Sequence, residues 1–188
     1  TVDGTTYTQE RPFMVIATQN PIEQAGTYRL PEAQLDRFLI KTSMGYPDHA
    51  ATVELLAGSA TRDRSAALTA VITSAAVRDM ADLAATVHTD TSVLEYIARL
   101  TAATREAPET RLGVSVRGAL AMVRAAKVWA AAEGRNYVLP DDVLTLAPSV
   151  FTHRLVMDPE AEFAGATASA VLDQVLASIA APQQRVNA

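Results

Sequence analysis

The stretch Arg11-Pro12-Phe13-Met14-Val15-Ile16-Ala17-Thr18-Gln19-Asn20-Pro21 decides how the rest of the chain is read. Phe13 to Thr18 form an apolar run with no polar residue alternating into it, closed by a polar set and a proline. Such a run suits a strand covered on both faces, as in a parallel sheet. A strand of that kind needs ladder partners on both edges. The neighbouring sequence offers few of them, so the remaining strands are expected to lie elsewhere, either in a preceding segment or in another chain. The chain also begins with Thr1 inside a strand-like run rather than with Met, and it reads as a piece of something longer.

Upstream of the run, Asp3-Gly4 sits between Thr1-Val2 and Thr5-Thr6-Tyr7. Both turn residues tolerate positive φ, which predicts a short β-hairpin. Downstream, Pro21, Gly26 and Pro31 mark a loop over 21–31. Glu32 to Phe38 read as a short helix opened by Pro31, and Leu39 to Met44 as another strand. Gly45-Tyr46-Pro47 then closes the first part. Beyond Pro47 alanine becomes frequent and the 3.6-residue period dominates. Helices are predicted near 48–58, 76–87, 91–105, 115–133, 140–147 and 167–180, capped by residues such as Asp48, Thr91 and Ser115, with an extended segment at 69–73. The expected organisation is an α/β part over 1–46 and an all-helical bundle over 47–188.

The 188 residues match one domain, or one domain with part of a second, and 49% apolar against 20% charged residues is a globular composition. Sixteen basic against 21 acidic residues leave a net charge of -5, so no overall positive field exists to hold a nucleic acid or an anionic membrane. The absence of cysteine excludes disulfides, thiolate metal sites and a cysteine nucleophile, and fits a reducing cytoplasm. No apolar run approaches the roughly 20 residues that span a bilayer, and no signal pattern opens the chain.

Three residues stand out for chemistry. Asn20 lies at the carboxyl end of the predicted strand, where ligands gather in open parallel sheets, and its amide can orient a water or a phosphate oxygen. It can equally cap a turn before Pro21. Arg37, between Asp36 and Phe38, carries the planar, permanently charged group suited to a phosphoryl transition state, or else is a surface cation paired with Glu32 or Asp36. Arg117 falls in the first turn of a long helix, where free N–H groups favour an anion and a cation is disfavoured, a combination that hints at a bound anion.

Neither G-x-x-x-x-G-K-[ST] nor G-x-G-x-x-G occurs, so phosphate cradling by a glycine-rich loop is absent. His49, His88 and His153 have no ligand spacing and are assigned structural or solvated roles. Ser115 and Ser149 lack the setting of a hydrolase nucleophile. Trp129 is expected in packing, Gly134 as a helix cap before a new helix at Pro140, and Asp158-Pro159-Glu160-Ala161-Glu162 as a solvated acidic turn.

Taken together, Arg11 to Gln24, Gly26-Thr27-Tyr28 and Leu30-Pro31-Glu32-Ala33-Gln34-Leu35-Asp36-Arg37-Phe38 closely resemble MoxR-like AAA+ ATPases. So do Gly113-Val114-Ser115-Val116-Arg117, Glu133-Gly134-Arg135-Asn136-Tyr137-Val138-Leu139-Pro140-Asp141-Asp142-Val143 and His153-Arg154-Leu155. The departures are Arg29 and Val116 where proline is usual, and Gly118 where alanine is usual.

The resemblance implies the C-terminal half of such an ATPase. The hairpin and central strand would complete a P-loop core over 1–46, whose P-loop and Mg2+-binding acidic motif precede this chain, and 47–188 would be the helical lid. It implies Asn20 as sensor 1, Arg37 as an arginine finger acting on a neighbouring subunit, and Arg117 as the sensor 2 contact to nucleotide phosphate. ATP and Mg2+ are the implied cofactors of the complete protein, a homo-oligomeric ring, a hexamer, its implied assembly, and chaperone-like remodelling of a client protein its implied task in the cytoplasm. The chain alone is expected to be inactive and to bind neither. The rival reading is a helical protein-interaction module whose nucleotide chemistry is degenerate.

Overall fold

The computed structural model describes residues 3–19, 30–57 and 68–182. Two compact units are distinguished, one of Thr1–Phe13 and Thr42–Asp79, the other of Met14–Lys41 and Met80–Ala188. In the first, Asp3 and Gly4 both take positive φ, as a two-residue hairpin turn requires, and Thr5 pairs in a single bridge. The predicted strand from Phe13 to Thr18 has no ladder, and Phe13 and Ile16 are 66% and 81% exposed. An apolar run becomes a strand only when its N–H and C=O groups find partners, and among the described residues these find none. The predicted strand at 39–44 and the extended segment at 69–73 also carry no ladder.

Helix α1, Glu32–Leu35, is a single turn entered from Pro31. Helix α2, His49–Ala57, opens where Asp48 accepts the Ala51 amide at 2.8 Å, and α3, Ser74–Ala85, where Thr73 accepts the Ala76 amide at 3.1 Å. Helix α4, Thr91–Glu106, is capped by Asp90 rather than Thr91, with the Ser92 amide 2.8 Å from its carboxylate. Helix α5 runs over Val116–Ala132 with Ser115 as its cap.

At the end of α5, Gly134 takes φ +73° and the chain turns, with the Arg135 amide bonded to Ala130 O at 2.8 Å. Arg135 then grips Asp142 through both nitrogens, at 2.9 and 2.6 Å, while the same carboxylate accepts the Leu139 amide at 2.8 Å. Helix α6, Pro140–Phe151, therefore starts from a fixed point. It runs through Pro148, where the sequence reading ended it at 147. The proline forfeits one helical hydrogen bond, but continuing the turn buries Val150 and Phe151 completely.

A 3-10 turn, Thr152–Arg154, follows α6. The only ladder among the described residues is short and antiparallel, between β1, Thr110–Leu112, and β2, Val156–Met157. The expected acidic turn is instead a one-turn helix, α7, Pro159–Phe163, because Asp158 caps it by accepting the Glu160 amide at 2.9 Å. Helix α8, Ala168–Ser178, closes the bundle.

The core of this second unit is built from one stripe of each long helix. Tyr96, Ile97 and Leu100 of α4 meet Met122 and Ala126 of α5, Val143, Val150 and Phe151 of α6, and Leu172 of α8, all essentially inaccessible to water. Each of the Val, Leu, Ile, Met and Phe side chains among them contributes about 1.5–3 kcal/mol of apolar burial. Trp129 lies at the margin, 39% exposed.

Candidate functional site

The segment after α1 curls once more before extending. Asp36, Arg37 and Phe38 donate their amides to Glu32, Gln34 and Leu35 carbonyls at 3.0, 3.1 and 3.0 Å. That curl leaves Asp36 half-buried and Arg37 exposed.

Asp36 is the meeting point of three elements. Its carboxylate accepts the Ser115 hydroxyl, 3.1 Å from each oxygen, and lies 3.5 Å from Arg117 Nη1 and 3.2 Å from Arg154 Nε. Ser115 has a second task, since the same hydroxyl oxygen accepts the Gly118 amide at 3.3 Å and caps α5. One negative charge thus faces two guanidiniums, which leaves the group with an excess of one positive charge.

The two arginines share Asp36 unequally. The Arg154 side chain is 1% exposed and that of Arg117 is 57% exposed. Arg154 spends its planar fork on backbone oxygens as well: Nη1 donates to Leu39 O at 3.3 Å and to Val150 O, and Nη2 to Asp36 O at 3.3 Å and to Phe38 O. Burial opposes its charge and pulls its pKa down, while Asp36 favours the charged form. Arg117 sits in the first turn of α5, where the helix dipole does not favour a cation, and among the described residues its side chain has only the long polar contact to Asp36.

His153, next in the 3-10 turn, places Nε2 3.1 Å from Phe38 O and 2.9 Å from Arg154 Nη1. Burial, with Arg154 and Lys41 adding to it, pushes its pKa below the ordinary imidazole value despite the Phe38 contact, so the ring is neutral near pH 7. The Lys41 amide bonds to Ser149 O at 2.9 Å and fixes the far end of the segment.

Arg37 behaves differently from its neighbours. The surface pairing open to it in the sequence was with Glu32 or Asp36, yet Glu32 pairs with Arg111 at 3.0 Å and Asp36 is occupied as described. Among the described residues no side-chain hydrogen bond or ion pair reaches the Arg37 guanidinium. Asn20 lies outside the described residues. Beside Asp36 opens a cleft of about 960 Å³ lined in part by Asp36, Lys41, Arg111, Ser115, His153 and Arg154.

The sequence singles out Arg37 and Arg117, gives His153 a structural or solvated role and offers Asp36 only as a surface partner for Arg37, and it assigns Arg154 no role of its own. A signal is present, because Asp36 adjoins Arg37 and the cation Arg154 stands between His153 and the apolar Leu155. What links them is proximity across more than a hundred residues, which spacing does not reveal.

Two family models match the chain. Residues 1–40 match the ATPase family associated with various cellular activities (AAA), and residues 102–175 match the AAA lid domain. The chain is 34% identical over 97% of its length to Chaperone MoxR1 of Mycobacterium tuberculosis, covering 50% of that protein. The chain belongs to the MoxR-like AAA+ ATPases. It is also 41% identical, over 98% of its length and 58% of the relative's, to the uncharacterized protein YeaC of Bacillus subtilis. A crystal structure of a protein assigned as an ATPase from Cytophaga hutchinsonii superposes with a TM-score of 0.85 at 32% identity, over 97% of this MoxR-like chain and 58% of that one. The chain therefore spans about half the length of the curated relatives it matches. No helix among its described residues is long and apolar enough to cross a membrane.

Proposed function

We propose that this chain is the C-terminal portion of a MoxR-type ATPase that hydrolyses ATP in a ring, a hexamer, and uses the cycle for chaperone-like remodelling of a partner protein. Residues 1–46 are the end of the α/β core and 47–188 the lid. The exposed Phe13–Ile16 run is the surface on which the rest of the core sheet closes. Alone, the chain is inactive, because the P-loop and the acidic motif lie outside it.

In this reading Asn20 orients the attacking water, Arg37 reaches the nucleotide of the neighbouring subunit, and Arg117 contacts phosphate. Exposed guanidiniums at Arg37 and Arg117 fit the phosphates of ATP in charge and in geometry. No group of three or more histidine, aspartate or glutamate side chains among the described residues is placed to hold a metal ion. The Mg2+ that travels with ATP would take its protein ligands from elsewhere. When bound, it neutralises charge developing on the phosphoryl oxygens.

The observation that carries this proposal is the spare charge of Arg37. Its two candidate partners are held by other arginines, and a permanently charged fork left facing solvent is available to a ligand in trans. In the complete protein Arg37→Ala is expected to lower assembly-dependent ATP turnover by about three to five decades, the effect of removing such a group from related phosphoryl-transfer sites. Unchanged turnover and unchanged dependence on protein concentration would instead favour the helical interaction module.

A further inference from the structure

Arg154 belongs to no role the family reading uses, yet it is the most heavily engaged charge among the described residues. Its guanidinium touches the carboxylate of Asp36 and the carbonyls of Asp36, Phe38 and Leu39, all within the short segment that carries Arg37. Its own backbone lies in the turn after α6, and Nη1 also bonds to Val150 O, inside α6. A single planar group therefore joins the end of α6 to both sides of Arg37.

The stem of that group packs closely against Gly118. A Cβ on Gly118 would lie 2.8 Å from Arg154 Cδ and 2.5 Å from Val114 Cγ1. Gly118 is the second residue after Ser115-Val116 in the first turn of α5, one place beyond Arg117. The first turn of α5, the end of α6 and the Arg37 segment thus converge on one buried side chain. Lysine could not replace it, because an ammonium lacks the fork that reaches several carbonyls at once.

We propose that Arg154 is a positioning residue for Arg37: by clasping the carbonyls on either side of it, and seated against Gly118, it sets where the Arg37 guanidinium is presented to the neighbouring subunit and ties that position to the lid. The inference rests on the arginine-finger reading of Arg37. A misplacement of about 1 Å in a charge-stabilising group can lower a rate by about 100-fold.

The test is a double-mutant cycle on the complete, assembled ATPase with Arg37→Ala, Arg154→Met and the pair. Arg154→Met is expected to lower kcat by about 100-fold with the KM for ATP little changed, and to add no further loss once Arg37 is alanine. Arg154→Lys should not rescue. If the two losses multiply, or if Arg154→Met leaves kcat intact while Arg37→Ala lowers it, the positioning role is overturned and the finger stands. If Arg37→Ala has no effect, the finger reading fails, and Arg154 cannot act through it. Should Arg154→Met not fold, Arg154→Lys goes through the same cycle. It keeps the charge and the stem but loses the fork, and a kcat loss that vanishes in the Arg37→Ala background supports the proposal, whereas a loss that persists there overturns it.

Discussion

Leu100 in α4 and Ile16 in the N-terminal run are aliphatic side chains of similar size with opposite fates. Leu100 is fully buried, whereas Ile16 is 81% exposed. Both sit in sequence that is apolar enough to want cover. The difference lies in what surrounds them. Leu100 belongs to a helix whose backbone is satisfied internally and whose stripe meets α5, α6 and α8. Ile16 belongs to a segment that has neither ladder partners nor apolar cover among the described residues, and in the proposed reading both come from the rest of the core sheet. Helices carry their backbone partners with them and so fold from local pattern, while a central strand is defined by what lies beside it.

The sharpest way to break this comparison is a pair of truncations followed by urea unfolding. In this chain Leu100→Ala should cost about 2–5 kcal/mol, as removal of a large buried side chain does. Ile16→Ala should stay within about 0.5 kcal/mol. In the complete protein the Ile16→Ala cost should rise toward the core range if the proposed sheet covers it. A cost that stayed near zero there would remove the covering sheet from the proposal.

Asp142 tests the helical half from its polar side. Asp142→Ala strips Arg135 of its bidentate partner and the Leu139 amide of its acceptor, and should cost about 2 kcal/mol, read as a lower urea midpoint at unchanged slope. Ser115→Ala removes the α5 cap and a donor to Asp36. About 1 kcal/mol is expected, with the first turn of α5 showing faster amide exchange than its centre.

The smallest effect is one of pH. His153 has its folded-state pKa below the ordinary value of about 6.5. The unfolded chain therefore binds the proton more readily, and stability should fall as pH drops through about 6.5, levelling off below the folded pKa. His153→Gln should flatten that part of the profile. Urea midpoints at several pH values between 5 and 8 measure it, and an unaltered slope in the variant would remove His153 as its source.

Much of this was legible in the chain itself. The long helices announced themselves through the 3.6-residue stripe that now lines the core, and Ser115 and Gly134 marked their ends by chemistry that acts within a few residues. Phe13 to Thr18 were legible as a surface needing cover, although not as a strand in this molecule. Other features left little trace. β1 and β2 are three and two residues long, too short for alternation to register. Pro148 signals a helix end on local grounds, and only the burial of Val150 and Phe151 overrides it. Arg37 and Arg117 were visible as cations in suggestive places, but which of them is committed and which is spare depends on Asp36 and Arg154, whose encounter is a product of the fold.

The unequal sharing of Asp36 has one more consequence. A contact as long and as solvated as that of Arg117, 3.5 Å and more than half exposed, is worth at most about 1 kcal/mol. If Arg117 takes the phosphate-binding role proposed for it, Asp36 serves as its placeholder: the incoming phosphate draws Arg117 away while Asp36 stays beside Arg154, and one end of the triad exchanges its partner without loosening the other.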